Sequence, residues 1–193
     1  MHERQPKNSP LDTILYEIDM LRHCAQALPG KQAQKERTGS DADQFEYYMC
    51  IEDFLLHLRN LIAFFTNQRD KKTDLGINAP DQWADRKIEQ RAYSDLMKTV
   101  KEINDRHGMV HSSCYDQISK YLQHCTTFRH EGARSWDIER IFAEIDPVLT
   151  EFEKRFVRAT SKMPELILIP GERGATTATV RTSVIMVEAP KKI

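Results

Sequence analysis

Hydrophobic side chains recur at helical spacing in five stretches of the chain. In the first, residues 11–28, the apolar positions of one side are Ile14, Leu15, Ile18, Leu21 and Ala25, the pattern of an amphipathic helix. Ser9 or Pro10 is suited to begin this helix, and Leu28-Pro29-Gly30 is a typical helix end. The polar residues 31–40 that follow predict either a linker or a continued, exposed helix.

The second stretch, FEYYMCIEDFLLHLRNLIAFF at residues 45–65, is apolar on almost every side. It predicts a helix from about residue 41 to residue 68, capped by Ser40 or Asp41. A helix that is apolar all round is expected to be buried, and charged groups within it must then find partners. Its polar residues are Glu52, Asp53, His57, Arg59 and Asn60. This helix is therefore either the spine of the core with a paired polar network or the wall of a site.

Two shorter helices are predicted after a loop at residues 70–83. The first spans residues 84–106 and ends at Gly108, with a stripe formed by Ile88, Ala92, Leu96, Val100 and Ile103. The second spans residues 114–128 and is capped by Ser112 or Ser113. Its stripe is Ile118, Tyr121, Leu122 and Cys125.

The fifth helical stretch begins near Ser135 and has the clearest amphipathic pattern of the chain. Pro147 lies inside it, which predicts a kink or a new helix that has Asp146 as its cap. Beyond residue 160, β-branched residues are frequent, notably in 179–187. That segment is expected to form a hairpin, an arm that pairs with another chain, or a tail.

The expected organisation is an all-α protein. A disordered N-terminus at residues 1–10 precedes a bundle of about five helices at residues 11–159, and a β-like or disordered extension covers residues 160–193. Short connections favour antiparallel neighbours.

Composition narrows the class of protein. The 193 residues carry a net charge of -1 with a pI of about 6.7, so the charge does not indicate a nucleic-acid binder. A local basic face that binds nucleic acid stays an alternative, because net charge does not reveal patches. No uncharged apolar run reaches the length of about 18 residues that a membrane helix needs, and the N-terminus has no apolar signal segment. A cytoplasmic protein without membrane contact is expected.

Cofactor and metal motifs are weak. The four cysteines are widely spaced without a C-x-x-C pair, so each is expected to pack as a small apolar side chain in a reducing compartment. His107 and His111 have a chelating spacing, but Gly108 interrupts the helix between them. The segment from Gly171 to Thr177 lacks the Gly-Lys-Ser/Thr of a phosphate loop. Neither a metal nor a cofactor is expected.

Helical geometry separates the polar residues of the second helix. Glu52 and Arg59 fall within about 20° of each other, whereas Asp53, His57 and Asn60 lie on another side. In the fourth helix, Lys120 and His124 share a face and Arg129 follows. If the two helices pack antiparallel, Glu52 and Arg59 face His124 and Arg129. Such a group could bind an anion or act on a phosphodiester; alternatively, it is a structural network.

The segments FLLHLRNLIAFF and ISKYLQHCTTFRHE together resemble a group of small, functionally uncharacterised bacterial helical proteins. Those proteins pair an LLHxRNLxxFF helix with a later IxKxLxHxTxxR segment, and the resemblance covers residues 41–157. It implies a helical fold and no particular activity. The matching positions are His57, Arg59, Asn60, Phe64 and Phe65, then Ile118, Lys120, Leu122, His124, Thr126 and Arg129.

A looser resemblance is to HEPN domains, which include toxin ribonucleases. Their signature places a histidine four to six positions after an arginine, and Arg106 with His111 fits this spacing. Short motifs of this kind also occur by chance.

The leading expectation is a non-enzymatic protein that acts by association, either as a homo-oligomer or with a protein partner, around a structural polar cluster. The alternatives are a HEPN-like ribonuclease or an inactive relative, for which phage defence is one candidate role, and an anion or small-molecule sensor. Catalytic residues are not assigned. The candidate polar cluster is Glu52, His57, Arg59, Asn60, Lys120, His124 and Arg129.

Overall fold

The described part of the chain folds into five α-helices. The structure is a computed structural model and describes residues 9–68, 74–84, 87–109, 111–123 and 136–157. Within these ranges there is no β-strand, so the prediction of an all-α fold is confirmed. The helices are α1 (Pro10–Thr38), α2 (Asp41–Thr66), α3 (Ser94–Arg106), α4 (Cys114–Gln123) and α5 (Ile138–Phe156), and 3₁₀ turns occupy Pro80–Gln82 and Gln90–Ala92.

The chain divides after Phe156 into two units, and the fold described below belongs to the first. The predicted extension at residues 160–193 lies outside the described residues, as do the predicted N-terminal segment up to residue 8 and the end of the fourth helix beyond residue 123.

Helix α1 begins with a capping box. Ser9 Oγ accepts from the Asp12 amide over 3.2 Å, and Asp12 Oδ2 accepts from the Ser9 amide over 2.8 Å. The predicted end at Leu28-Pro29-Gly30 is wrong, because α1 continues to Thr38. Of the two alternatives for residues 31–40, the continued, exposed helix is the one found. Pro29 is exposed, so its ring projects into water. Polar pairs join the continued segment to α2, notably Lys31 with Glu46 and Gln34 with Asp43.

Helices α1 and α2 form a long antiparallel hairpin. Gly39 closes α1 in the left-handed conformation with φ 62°, where a side chain would be strained. Ser40 Oγ then caps α2 by accepting from the Asp43 amide over 3.2 Å, as expected from the sequence. Near the tip, Gln34 Nε2 donates to Asp43 Oδ1 over 2.6 Å, and Lys31 pairs with Glu46.

Helix α3 starts later than predicted, at Ser94 rather than at residue 84. The 3₁₀ turn Gln90–Ala92 precedes it, so Ile88 and Ala92 are not part of its stripe. The turn between α3 and α4 requires a glycine, because a Cβ on Gly108 would lie 2.5 Å from Ser112 O. Ser113 then caps α4 by accepting from the Asp116 amide over 3.1 Å.

Helix α5 begins at Ile138, after Asp137 Oδ1 accepts from the Arg140 amide over 3.1 Å. It passes through Pro147 as one helix to Phe156. The alternative in which a new helix starts at Asp146 is wrong. Asp146 accepts instead from Arg22 Nε of α1 over 2.7 Å, so its carboxylate ties two helices together.

An aromatic cluster forms the centre of the core. The ring of Phe152 lies 5.5–5.7 Å from those of Phe64, Phe65 and Trp83, and 5.2 Å from that of Phe156. Trp83 Nε1 donates to Gly76 O over 3.1 Å, which ties the segment after α2 to the core. Edge-to-face aromatic contacts add to the free energy of burial.

Ion pairs fix α5 against its neighbours. Arg22 of α1 contacts Asp146 at 2.7 Å and Glu153 at 2.9 Å. Burial lowers the pKa of the Arg22 guanidinium, but the hydrogen bonds to these carboxylates outweigh it and the net shift is upward. Arg155 of α5 likewise contacts Asp95 of α3 at 2.8 Å. The three ion pairs join α1 and α3 to α5.

Candidate functional site

His57 and Asn60 of α2 both contact one carboxylate of α1. His57 Nδ1 lies 2.7 Å from Glu17 Oε2, and Asn60 Nδ2 donates to the same oxygen over 3.1 Å. The ring of Tyr16 meets the His57 ring edge-on at 5.8 Å between centroids. His57 is 6 % exposed, so its polar atoms depend on these partners. The group links α1 to α2.

Arg59 faces α4 instead. Its Nε donates to Ser119 Oγ over 2.7 Å and its Nη2 donates to Tyr115 OH over 3.2 Å. The guanidinium carbon lies 5.0 Å from the centroid of the Tyr115 ring, within cation–π range. The guanidinium therefore joins α2 to α4 through two hydroxyl groups and one ring face.

Two of the remaining candidates belong to the described residues. Glu52 is half-buried, and Lys120 is exposed on α4. His124 and Arg129 lie outside the described residues. Of the candidate polar cluster, the structure brings His57 and Asn60 together through Glu17. It places Arg59 in a separate contact with α4.

Neither polar group lines the cleft between α1, α2 and the start of α5, or the cleft formed by segment 87–92 with Arg155 and Phe156. A carboxylate beside a histidine can move protons in an open site. Here the pair contacts neighbouring helices, which suits a role in positioning α1.

Replacing Glu17 with alanine is expected to lower the free energy of unfolding by about 1–3 kcal/mol, because His57 Nδ1 and Asn60 Nδ2 lose their acceptor. The measurement is urea unfolding followed by circular dichroism. The control is Glu102→Ala, an exposed carboxylate of α3 whose nearest cation is Lys98 at 3.9 Å; we expect a change within about 0.5 kcal/mol. Equal effects of the two substitutions would contradict a structural role for Glu17.

The histidines considered for metal binding occupy the turn between α3 and α4. His107 Nε2 lies 3.2 Å from Glu144 Oε2, and Arg106 Nη1 donates to the same oxygen over 2.6 Å. His111 is exposed, with φ 146°. Among residues 9–68, 74–84, 87–109, 111–123 and 136–157, no three or more His, Cys, Asp or Glu side chains are grouped to hold a metal ion. Arg106 and His111, which have the HEPN-like spacing, lie at the two ends of the tight turn between α3 and α4.

An aromatic cleft of about 890 Å³ lies between the second half of α1, the first half of α2 and the start of α5. The aromatic side chains that line the cleft are Tyr47, Tyr48, Tyr121, Trp136 and Phe142, and the carboxylates that line it are Glu36, Asp137 and Glu139. Lys35 Nζ lies 4.2 Å from the centroid of the Tyr47 ring. The cleft thus combines flat apolar surfaces with negative charge.

Residues 45–56 of α2 include large apolar side chains that are exposed, contrary to the expected burial of the whole helix. Phe45 is 65 % exposed, Tyr48 45 %, Met49 47 % and Leu56 41 %. We call these four residues the α2 face. Apart from Leu56, the burial prediction holds for the large apolar side chains from Phe54 onward. There α3, α4 and the aromatic rings of α5 contact the helix. Periodicity misses this difference because it shows where apolar side chains point, not which neighbours reach them.

The comparisons with known proteins give no relative: no family model, curated protein or solved structure matches the chain. The resemblance to small bacterial helical proteins and to HEPN domains therefore stays a prediction. None of the described helices is both long enough and apolar enough to cross a membrane.

Proposed function

We propose that this protein works by association, and that the α2 face binds a partner segment whose apolar side chains are flanked by lysines or arginines. The observation that carries the proposal is the clustering of exposed apolar side chains. Six large hydrophobic side chains are exposed in the described residues, and four of them lie in α2 within a span of twelve residues, 45–56. Scattered single exposures are ordinary, whereas a cluster marks an interaction surface.

The α2 face has the spacing of a helix-binding stripe. Around the helix axis, Phe45, Met49 and Leu56 project within about 40° of one another, and Tyr48 projects about 60° from Phe45. Tyr48 also lines the aromatic cleft. The apolar stripe thus continues into a concave surface that can receive an anchoring side chain, the arrangement by which grooves bind amphipathic helices.

The charges around this surface select the partner. The carboxylates near the α2 face are those of Glu46, Glu52 and Asp53, and the cleft adds Glu36, Asp137 and Glu139. The neighbouring lysines are Lys31, which pairs with Glu46, and Lys35, which stacks on Tyr47. The surplus of carboxylates favours a basic partner segment through complementary charge.

The same charges disfavour a second copy of the chain as the occupant. Two α2 faces brought together antiparallel would set Glu46 of one copy near Glu52 and Asp53 of the other. Like charges placed opposite each other across an interface cost free energy. A basic partner segment avoids this repulsion, and its attraction weakens as salt screens the charges.

The test is a titration of the full chain with a labelled amphipathic peptide of about 18 residues that carries leucines at i, i+4, i+7 and i+11 and flanking lysines. Fluorescence anisotropy reports binding. We expect saturable binding that weakens with salt, and no saturation with a peptide whose lysines are replaced by glutamates. Met49→Lys is expected to weaken binding at least about tenfold, because it puts a like charge into the apolar contact.

The control variant is Thr99→Lys, which adds the same charge at an exposed position of α3. It is expected to bind the lysine peptide like the parent chain. Equal binding by Met49→Lys and Thr99→Lys would overturn the proposed surface. A dimer in light scattering that Met49→Lys dissociates would show that a second copy, and not a basic partner, occupies the α2 face.

A further inference from the structure

Two cysteines far apart in sequence meet inside the α1–α2 hairpin. Cys24 of α1 is buried, at 3 % exposure, and Cys50 of α2 is half-buried. The Cys50 thiol donates to Cys24 O over 3.6 Å, so the two cysteines contact each other between adjacent helices. Both are free thiols in this structure. A disulfide bond requires two cysteines whose backbones lie this close.

We propose that Cys24 and Cys50 form a disulfide bond across the hairpin when the protein meets a peroxide. The inference stands on the contact of the Cys50 thiol with Cys24 and does not rest on the proposed function. No C-x-x-C spacing links the two residues, so their pairing is not predicted by the sequence pattern.

The reaction balances with one peroxide. The Cys50 thiolate attacks one peroxide oxygen, the O–O bond breaks, and the departing hydroxide takes up a proton to become water. Cys50 is then a sulfenic acid. The Cys24 sulfur attacks the Cys50 sulfur, the S–O bond breaks, and a second water leaves. Two thiols are oxidised to one disulfide, and hydrogen peroxide is reduced to two waters.

Exposure decides which thiol reacts first. Burial raises the pKa of the Cys24 thiol to about 12, with further contributions from Cys50 and Asp53. Burial also raises the pKa of the Cys50 thiol, and its hydrogen bond with Cys24 and the charge of Lys31 oppose this shift. Cys50 is the more exposed of the two and is the better nucleophile. Since few thiolates exist at pH 7, formation is slow and speeds up with rising pH.

The product is a durable crosslink rather than a fast switch. Reduction expels a thiolate, and a thiol of high pKa is a poor leaving group. The bond joins positions 26 residues apart, which restricts the unfolded chain and stabilises the folded one. Because Met49 of the α2 face precedes Cys50, the crosslink also fixes the backbone beneath that face.

The test oxidises the folded full-length chain with hydrogen peroxide and maps peptides without reduction. Trypsin releases residues 23–31 with Cys24 and residues 38–59 with Cys50. We expect these two peptides to appear joined, lighter by two hydrogens than their sum. The link should form faster at pH 9 than at pH 7, and the midpoint of thermal unfolding should rise by at least about 5 °C.

Matched variants make the test decisive. Cys114→Ala is expected to leave the link unchanged, and Cys50→Ala to abolish it while circular dichroism shows the same helix content as the parent. A folded parent chain that yields no joined peptide after oxidation overturns the inference. So does a chain in which Cys50 joins Cys114, Cys125 or a second molecule instead of Cys24.

Discussion

Phe152→Ala is expected to lower the free energy of unfolding by about 3–5 kcal/mol, the largest single loss in this molecule. Phe152 is fully buried, and its ring lies within 5.7 Å of the rings of Phe64, Phe65, Trp83 and Phe156. Alanine leaves a cavity between helices α2 and α5 and the segment that carries Trp83. Dense interiors relax only in part around such a cavity.

Urea unfolding followed by circular dichroism measures this loss. The matched control is Phe45→Ala, the same substitution on the exposed α2 face, where Phe45 is 65 % exposed. A change within about 0.5 kcal/mol is expected there. If the two substitutions cost the same, the aromatic cluster is not the centre of the core.

Arg22→Met is expected to cost about 2–3 kcal/mol at pH 7, the second largest effect. Arg22 holds Asp146, Glu153 and the hydroxyl of Thr150 of α5 through three hydrogen bonds of 2.7–3.1 Å. Removing a partly buried partner leaves carboxylates facing one another. The estimate is below that for a fully buried pair because Arg22 keeps 23 % of its side chain exposed. The control is Arg91→Met, because the Arg91 side chain is 85 % exposed. The free energy of unfolding of this variant is expected to change little.

The free energy of unfolding that Arg22→Met loses should become smaller as the pH falls. Burial and the nearby Glu153 raise the pKa of Asp19 in the folded protein, and Arg22 opposes that shift. Without Arg22 the folded pKa rises further above the unfolded value, so the folded state binds more protons as the pH falls. Stability then increases on acidification. The deficit of Arg22→Met relative to the parent is expected to shrink from pH 7 to pH 5, and a constant or growing deficit would contradict the assignment.

Local signals predicted much of the fold. Ser9, Ser40 and Ser113 cap the helices that the sequence assigned to them, because capping is a contact between near neighbours. The end at Pro29 and the early start of α3 were wrong. In the first case tertiary contacts with α2 hold the helix, and in the second the chain forms a 3₁₀ turn before α3. Neither effect is visible in a local pattern.

The candidate site was only partly accessible from the sequence. Helical geometry separated Arg59 from His57 and Asn60, and the structure places them against different helices. Their partners Glu17, Tyr115 and Ser119 were missed because they lie 40 or more positions away. A pairing across helices depends on how the helices pack, and one sequence carries no signal for it.

The central claim is that the buried polar residues of α2 are structural and that its exposed α2 face is the binding surface. The most direct test titrates Met49→Lys and Glu17→Ala with the lysine peptide, each checked by urea unfolding. We predict that Met49→Lys loses binding at least about tenfold and keeps its stability, whereas Glu17→Ala loses about 1–3 kcal/mol and keeps its affinity. If folded Glu17→Ala loses binding while Met49→Lys retains it, the claim is wrong.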